Sequence, residues 1–527
     1  MLLQAKNIKL DLINDNRTII ENFNYSAGIG DKTVIIGEEG NGKSTLLKFL
    51  YDEKLVSDYV SYSGQIVRKG VFGYLPQFLS AEDRNKTIYN FLKDVEIFNF
   101  HEYVNLLQLD YDMLLSDRIM NTLSGGEKIK IQLFNLLCKN PDILFLDEPS
   151  NDLDIESLSF LEDFIQKSTT PIIYVSHDET LVEKTANTII YVEQLIKKTK
   201  CKITITNQTY ADFLVANNLR YDRQMQIAMK ERSEYKRKKE RLQKLYEKAR
   251  HNLSWKNPDG IASSDGRSKN SMKSIIARGK RMEFEADSFT EIPDREVGII
   301  IYFDKRVSVP AQKRILSYSL KELRNNERIL SKNIFLNVVG NEHICIIGQN
   351  GAGKSTLLKK LYNELKDRSD INVGYMPQNY ADVIDYSMSP TEFFQSCFDK
   401  ESCTKALTYM GNMKFTADEM FHPIGELSGG QIAKILFLDM VLRKCNVLLL
   451  DEPTRNFSPL SAPVIRNALI NFNGTIISIS HDRKYLATPC RHAQAPAAKA
   501  MRKTSRRRRP NSMSIISKPS CTHICIK

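Results

Sequence analysis

Short apolar runs rich in branched residues alternate along this chain with segments of helical pattern. Residues 33–36 (TVII) and 344–347 (ICII) read as buried strands, and a helical pattern opening with Leu-Leu-Lys follows each of them. Alternating strands and helices of this kind predict an α/β fold. No run of about 18 apolar residues occurs, so the pattern predicts no membrane-spanning helix.

A different pattern separates the two halves. From residue 210 to about 251 the chain is dense in helix formers and free of Pro and Gly. As one helix this segment would extend roughly 60 Å. Breakers follow at 257–260 (NPDG) and 263–266, and a second helical pattern runs from about 270 to 289, interrupted only by Gly279 and ended by Pro293. The sequence therefore predicts a helical hairpin between the halves, followed by a strand at 298–303.

Glycine loops appear in both halves. Residues 37–45 read GEEGNGKST and residues 348–356 read GQNGAGKST, each between a predicted strand and a predicted helix. In that context the glycines let backbone N–H groups surround phosphates, the lysine adds a charge, and the first hydroxyl ligates Mg²⁺. The predicted phosphate-binding residues are Gly37, Gly40, Gly42, Lys43, Ser44, Thr45, Gly348, Gly351, Gly353, Lys354, Ser355 and Thr356.

Further motifs recur at matched distances in the two halves. Ser-Gly-Gly triplets lie 23 residues before an Asp-Glu pair, and a histidine follows each of those glutamates by 29 residues. Each acidic pair ends an apolar run, and a glutamine stands in a Tyr-Leu-Pro-Gln or Tyr-Met-Pro-Gln turn. These residues are Ser124, Gly125, Gly126, Asp147, Glu148, His177 and Gln77 in the first half, and Ser428, Gly429, Gly430, Asp451, Glu452, His481 and Gln378 in the second. The matched spacing indicates that one fold has been duplicated.

With these motifs, residues 1–486 resemble the ATP-binding cassette superfamily. The resemblance implies an ATPase in which Glu148 and Glu452 polarise the attacking water and His177 and His481 stabilise the γ-phosphate. It implies that each Ser-Gly-Gly signature contacts ATP bound to the other cassette, so that a monomer pairs its own cassettes. The adenine preference also rests on this resemblance. The implied Mg²⁺ ligands are Ser44, Gln77, Asp147, Ser355, Gln378 and Asp451.

The net charge of +12 is unevenly distributed. Residues 221–281 hold 18 Lys/Arg and 7 Asp/Glu, and residues 487–527 hold 10 basic and no acidic side chains. Basic segments on an otherwise acidic body point to a polyanionic partner. The hairpin between two cassettes resembles that of the ABC-F proteins, and its stretch from Lys256 to Ser274 resembles linkers of their antibiotic-resistance branch.

That resemblance implies a cytoplasmic protein whose linker enters the tRNA exit site of the 70S ribosome, contacting rRNA and tRNA, with no membrane or DNA partner. Buried thiols, expected at Cys138, Cys201, Cys345 and Cys445, also favour a reducing cytosol. The alternative is the ATPase subunit of a separately encoded membrane transporter. A DNA-repair or chromosome-structure ATPase would need zinc modules or longer coiled coils. Trp255, at the expected hairpin tip, could stack on RNA or pack within the tip.

Two departures from the family pattern are visible. Asp154 ends the motif after the first acidic pair, whereas residues 454–459 (TRNFSP) offer no aspartate there, so the two ATP sites are expected to be unequal. The second cassette is also expected to lack the closing strand that residues 187–192 form in the first. We expect domains at 1–208, 209–296 and 297–486. Residues 487–527, with Arg506 to Arg509, would then be a disordered basic arm or, as we favour, the product of a reading-frame change.

Overall fold

The structure is a computed structural model that describes residues 2–13, 17–93, 100–195, 200–254, 265–286, 289–293, 303–304, 306–325, 328–487, 515–518 and 521–526. Within it, residues 1–210 and 296–527 group into one compact unit that contains both cassettes, and residues 211–295 form a second unit. It is an α/β protein with two cassettes joined by a helical region, as the sequence predicted. The boundaries between the four segments drawn from the sequence stay predictions.

The strands of the first cassette are β1 (Leu3–Leu12), β2 (Thr18–Ala27), β3 (Lys32–Ile36), β4 (Val60–Arg68), β5 (Phe72–Leu75), β6 (Ile143–Asp147), β7 (Ile172–Val175), β8 (Thr188–Leu195) and β9 (Lys200–Thr206). Its helices are α1 (Lys43–Tyr51), α2 (Ala81–Asn85), α3 (Ile88–Phe91), α4 (Phe100–Leu107), α5 (Tyr111–Leu114), α6 (Gly125–Leu137), α7 (Ile155–Lys167) and α8 (Glu179–Thr185). Single 3₁₀ turns occupy Glu53–Leu55 and Met120–Thr122.

A six-stranded sheet with the order β5-β6-β7-β3-β8-β9 forms the centre of this cassette. Its strands are parallel except β9, which runs antiparallel to β8. Every residue of β3, β6 and β7 is buried, as expected for strands covered on both faces. A separate antiparallel sheet has the order β2-β1-β4. This arrangement places the carboxyl ends of β3 and β6, and the loops that follow them, at one edge.

The helical region consists of α9 (Tyr210–Ser254), which is 45 residues long, and α10 (Asp265–Ala286). The two helices run antiparallel, because Gly279 approaches Leu242 while the backbone N–H of Thr290 donates to Glu231 Oε2 at 2.7 Å. α9 starts where the sequence predicted. The second helix was predicted from about 270, but it begins five residues earlier and includes Gly266, where the sequence predicted a break. Trp255, residues 257–260 and residues 298–302 lie outside the described part of the chain.

The second cassette has strands β10 (Arg314–Asn325), β11 (Arg328–Val339), β12 (His343–Gly348), β13 (Val373–Met376), β14 (Val447–Asp451), β15 (Thr475–Ile479), β16 (Ile515–Lys518) and β17 (Cys521–Ile526). Its helices are α11 (Lys354–Leu365), α12 (Pro390–Cys397), α13 (Lys400–Asn412), α14 (Ala417–Phe421), α15 (Gly429–Leu442), α16 (Ala462–Ile470) and α17 (Arg483–Ala487), with 3₁₀ turns at Tyr380–Asp382 and Ile424–Glu426.

The sheet order β13-β14-β15-β12-β17-β16 repeats that of the first cassette. The prediction that the second cassette lacks a closing strand was wrong. β17 pairs in parallel with β12 where β8 pairs with β3, and β16 covers it as an antiparallel edge strand. Branched residues recur at Ile515, Ile516, Thr522, Ile524 and Ile526, which favours strands despite the polar composition of the tail, and pairing with the distant strand β12 stabilises them. The reading-frame interpretation of residues 487–527 stays a hypothesis, and Arg506 to Arg509 lie outside the described residues.

Candidate functional site

The two glycine loops share one backbone geometry. Gly40 and Gly42 have φ values of 73° and 84°, and Gly351 and Gly353 have values of 80° and 90°. These left-handed conformations are accessible to glycine at no steric cost. Each loop connects the central strand of its sheet to the first turn of a helix, α1 or α11, whose free backbone N–H groups favour anions. The structure therefore places both predicted phosphate loops in the geometry that the motif requires.

The loop lysines lie across their own loops. Lys43 Nζ donates to the carbonyl oxygens of Gly37 and Glu38, both at 2.9 Å. Lys354 Nζ donates to those of Gly348 and Gln349, at 2.7 and 3.0 Å. Both lysines are buried. Because each cation is held over the phosphate loop, a terminal phosphate bound there would meet it directly.

Hydroxyl and carboxylate groups meet at the end of the strand beside each loop. Ser44 Oγ donates to Asp147 Oδ1 at 2.8 Å, and Ser355 likewise hydrogen-bonds Asp451. Tyr74, which the sequence did not single out, donates its hydroxyl to Asp147 Oδ2 at 3.2 Å. Burial raises the pKa of both aspartates. A buried carboxylate beside a hydroxyl is the oxygen donor set that Mg²⁺ prefers, so these residues fit that ion.

Glu148 and Glu452 both adopt left-handed backbone conformations, with φ values of 50° and 52°. The backbone N–H of each donates to the end of the neighbouring strand, at Val175 O and Ile479 O. A glutamate with positive φ costs free energy that the surrounding structure must supply, and such residues concentrate at functional sites. The geometry turns each carboxylate toward the histidine that follows 29 residues later, at positions 177 and 481.

The two glutamate–histidine pairs differ in detail. His177 Nε2 lies 2.9 Å from Glu148 Oε1, whereas His481 Nε2 lies 3.8 Å from Glu452 Oε1. Burial opposes ionisation of Glu148, but His177 and Lys43 outweigh it and lower its pKa. Burial raises the pKa of Glu452 to about 8, and burial together with Lys354 lowers the pKa of His481 to about 4. The first glutamate is therefore held as an anion, and the second favours its neutral form.

Both signature serines cap helices. Ser124 and Ser428 are the N-caps of α6 and α15, and each forms a capping box with Glu127 or Gln431. Two cavities combine one glycine loop with the signature of the other cassette. The first measures about 320 Å³ and contains Lys43, Ser44, Gln77, Glu148, His177, Ser428 and Gly429. The second measures about 790 Å³ and contains Lys354, Ser355, Gln378, Glu452, His481, Ser124 and Gly125.

The segments after the acidic pairs join the two cavities. Arg455 lies 2.8 Å from Asp152 Oδ1 and lines both cavities. Asn350 Nδ2 donates to the backbone oxygen of Asp152 at 2.5 Å. Asp154 caps α7 and lies near His481, whereas its counterpart Ser458 is buried and accepts from the backbone of its own cassette. The contacts are thus unequal in the two halves.

Ion pairs between the cassettes reinforce this contact. Arg466 in α16 pairs with Glu179 of the first cassette and with Asp482 at 3.0 Å. Lys484 lies 2.9 Å from Glu179, and Arg483 contacts Glu162. Sequence reasoning missed this cluster, because nothing in the local pattern indicates pairing partners some 300 positions apart. It also missed the hydrogen bond between Ser428 and Glu39 and that between Asn350 and the Asp152 backbone, although two adjacent glutamates within a phosphate loop could have drawn attention.

Comparisons with known proteins agree with this geometry. A family model described as "ABC transporter" matches residues 20–151 and 331–455. The chain is similar to the putative ATP-binding protein YdiF of Bacillus subtilis (strain 168), at 27% identity over 92% of this chain and 78% of the relative. It is also similar to the ribosome protection protein VmlR of the same organism, at 28% identity over 89% of this chain and 82% of the relative.

Among solved structures, a complex of an archaeal ribosomal stalk protein with the archaeal ribosome recycling factor aABCE1 matches 98% of this chain and 89% of that one. The TM-score is 0.56 at 17% sequence identity, which supports a similarity of fold. In the described part of the chain, none of the helices is long and apolar enough to cross a membrane. The thiols of Cys138, Cys201, Cys345 and Cys445 are buried, as predicted.

Proposed function

We propose that this chain, a tandem ATP-binding cassette ATPase whose homologues are ABC-F proteins, binds the 70S ribosome when ATP closes its two cassettes on each other. The linker would then reach toward the tRNA exit site and the peptidyl-transferase centre, and hydrolysis would release the protein. We further propose that the outcome is protection of the ribosome from antibiotics. The observation that carries the proposal is the exposed basic surface of α9.

The exposed surface of α9 is dense in basic side chains. Between positions 236 and 250 of α9, eight basic side chains are exposed to solvent: Lys236, Arg237, Lys238, Lys239, Arg241, Lys244, Lys248 and Arg250. Exposed lysines and arginines along one long helix suit a path between nucleic-acid phosphates, whose neutralisation supplies sequence-independent affinity. A-form RNA is recognised largely through shape and backbone contacts, which such a helix can make without base-specific groups. The similarity to the ribosome protection protein VmlR supports the same partner.

In the catalytic cycle that we propose, the chain mainly positions and neutralises charge. The glycine loops with Lys43 and Lys354 hold the phosphates. Glu148 and Glu452 orient the attacking water and accept its proton, and His177 and His481 contact the γ-phosphate, with the opposite signature serine completing each site. Bound Mg²⁺ neutralises charge on the phosphates, and Ser44 with Asp147 and Ser355 with Asp451 would hold it, with Gln77 and Gln378 alongside.

A charge-neutralising variant tests the ribosomal part of this proposal. Replacing Lys236, Lys238 and Lys239 by Gln removes three exposed cations from α9 without touching either cavity. We expect weaker binding to 70S ribosomes and a salt dependence whose slope falls by about one unit for each phosphate that is no longer neutralised. The control replaces Lys54, Lys69 and Lys202 by Gln, which are exposed lysines of the first cassette. Binding is measured by co-sedimentation across a salt series.

Equal weakening of ribosome binding in both triple variants would argue against α9 as the ribosome-binding surface. The alternative function, the ATPase subunit of a membrane transporter, predicts a different outcome. Such a subunit would sediment with membranes through its partner and would ignore ribosomes at every salt concentration. Shortening residues 255–278 separates the two functions further, because all predicted catalytic residues lie outside that segment. Under our proposal this deletion leaves basal ATPase activity and ribosome docking largely intact and abolishes drug protection.

A further inference from the structure

Glu39, in the middle of the first glycine loop, contacts the opposite signature. Its Oε2 atom accepts hydrogen bonds from Ser428 Oγ at 3.0 Å and from the backbone N–H of Gly430 at 2.5 Å. Gly430 lies in the first turn of α15, a helix of 14 residues whose N-terminal N–H groups favour an anion. The carboxylate therefore fills the anion-binding position of the second signature from across the cassette interface.

The charges around Glu39 are those that a γ-phosphate would meet. Burial raises the pKa of this carboxyl, and the groups that oppose the rise are His177, Lys43, Lys434 and the Ser428 hydroxyl. His177 and Lys43 are also the residues proposed to contact the terminal phosphate in the first site. A carboxylate surrounded by the cations and donors of a phosphate site is a stand-in for the phosphate.

The second glycine loop provides an internal comparison. Its residue equivalent to Glu39 is Asn350, which is neutral and donates to the Asp152 backbone oxygen instead of reaching the opposite signature. The cavity between the second loop and the first signature measures about 790 Å³, against about 320 Å³ for the cavity that Glu39 enters. The two sites thus differ in whether a side chain of the protein fills the place opposite the signature.

We propose that Glu39 occupies the γ-phosphate position of the first composite site in the absence of nucleotide, so that ATP must displace it while ADP need not. The inference rests on the proposed assignment of each signature to the ATP bound at the opposite loop. Because the displaced carboxylate would lie beside a phosphate of the same charge, Glu39 lowers the affinity of the first site for ATP relative to ADP. In the second site the equivalent residue of the described chain is Asn350, which carries no charge and contacts the Asp152 backbone instead.

The first site is isolated with Lys354→Ala, which removes the loop lysine of the second site. In this background we measure ATP and ADP affinities by equilibrium titration, with Glu148→Gln added to prevent hydrolysis. Glu39→Gln should tighten ATP binding by about tenfold or more, since a charge-assisted hydrogen bond and a like charge are both removed. ADP affinity should change by less than about twofold, because ADP lacks the competing phosphate. Glu39→Ala, which cannot reach Ser428 at all, should behave in the same way.

Two matched controls define the result. Glu38→Gln neutralises the neighbouring carboxylate, which accepts from Ser461 Oγ at 2.8 Å and lies 3.6 Å from Lys434, whereas Ser428 and Gly430 donate to Glu39. It should leave the ATP-to-ADP preference unchanged. Glu39→Gln in a Lys43→Ala background, which reports on the second site, should also have no effect. Equal changes in ATP and ADP affinity, or no change in either, would overturn the proposal while leaving the ATPase assignment intact. Failure of the starting protein to bind ATP at all would instead refute the assignment of the composite sites.

Discussion

The unequal glutamate–histidine pairs lead to a prediction about pH. Glu148→Gln leaves only the second site with its glutamate, and Glu452→Gln leaves only the first. The general base acts in its charged form, so a raised pKa reduces the active fraction at neutral pH and activity recovers as pH rises through that pKa. The pKa of Glu452 is about 8, whereas that of Glu148 lies below its ordinary value. His481, with a pKa of about 4, stays neutral throughout.

The magnitude follows from these values. With a pKa of about 8, roughly a tenth of Glu452 is ionised at pH 7 and roughly nine-tenths at pH 9. Bound ATP and Mg²⁺ add similar charges to both sites and therefore shift the pKa values of the two glutamates in a similar way. The experiment compares the pH profiles of the two sites. We therefore expect ATP turnover of the Glu148→Gln variant to rise about tenfold between pH 7 and pH 9, and that of Glu452→Gln to change by less than about twofold.

The assay is steady-state phosphate release at saturating ATP from about pH 6.5 to about pH 9, a range that spans the expected transition. The variant with both glutamates replaced by Gln supplies the background rate at each pH. Superimposable profiles for the two single variants, or a flat profile for Glu148→Gln, would refute the reasoning from the His481–Glu452 separation of 3.8 Å and the burial of that pair.

Two further predictions concern the site and the cassette interface. Replacing both Glu148 and Glu452 by Gln should keep ATP binding, because the glycine loops are untouched, and lower turnover by about 10²–10⁴-fold, measured as phosphate release. Wild-type turnover in this double variant would show that neither glutamate acts as the general base. Arg466→Ala should lower the free energy of unfolding by about 3 kcal/mol in urea titrations, since it removes the buried cation beside Asp482 and leaves Glu179 with only the partly exposed Lys484. Lys167→Ala, which removes a solvent-exposed ion pair with Asp163, should cost less than about 1 kcal/mol.

Local chemistry made much of this molecule predictable. The glycine loops, the acidic pairs and the start of α9 at Tyr210 follow from residue types within short windows, because glycine φ angles, strand burial and helix propensity are local properties. The parallel sheets followed from alternating strands and helices. The matched motif spacing placed the two halves in the same fold without any knowledge of their contacts.

Long-range pairing was the part that sequence could not supply. Glu39 and Ser428 are 389 positions apart, and no local pattern indicates that they share a hydrogen bond. The same holds for Arg455 and Asp152. β17 was missed for a related reason, since its partner β12 lies far away in the chain and the basic composition of the tail outweighed a short branched pattern. Whether a short branched segment forms a strand therefore depends on its tertiary contacts more than on its composition.

The most direct test of the central claim is co-sedimentation with purified 70S ribosomes. The Glu148→Gln, Glu452→Gln double variant should hold ATP without hydrolysing it and so keep the cassettes closed. At low salt it should pellet with ribosomes in the presence of ATP, remain in the supernatant with ADP or without nucleotide, and dissociate from ribosomes as salt is added. If the ATP-bound variant stays in the supernatant at low salt, or pellets equally well with ADP, the coupling of cassette closure to ribosome binding is contradicted.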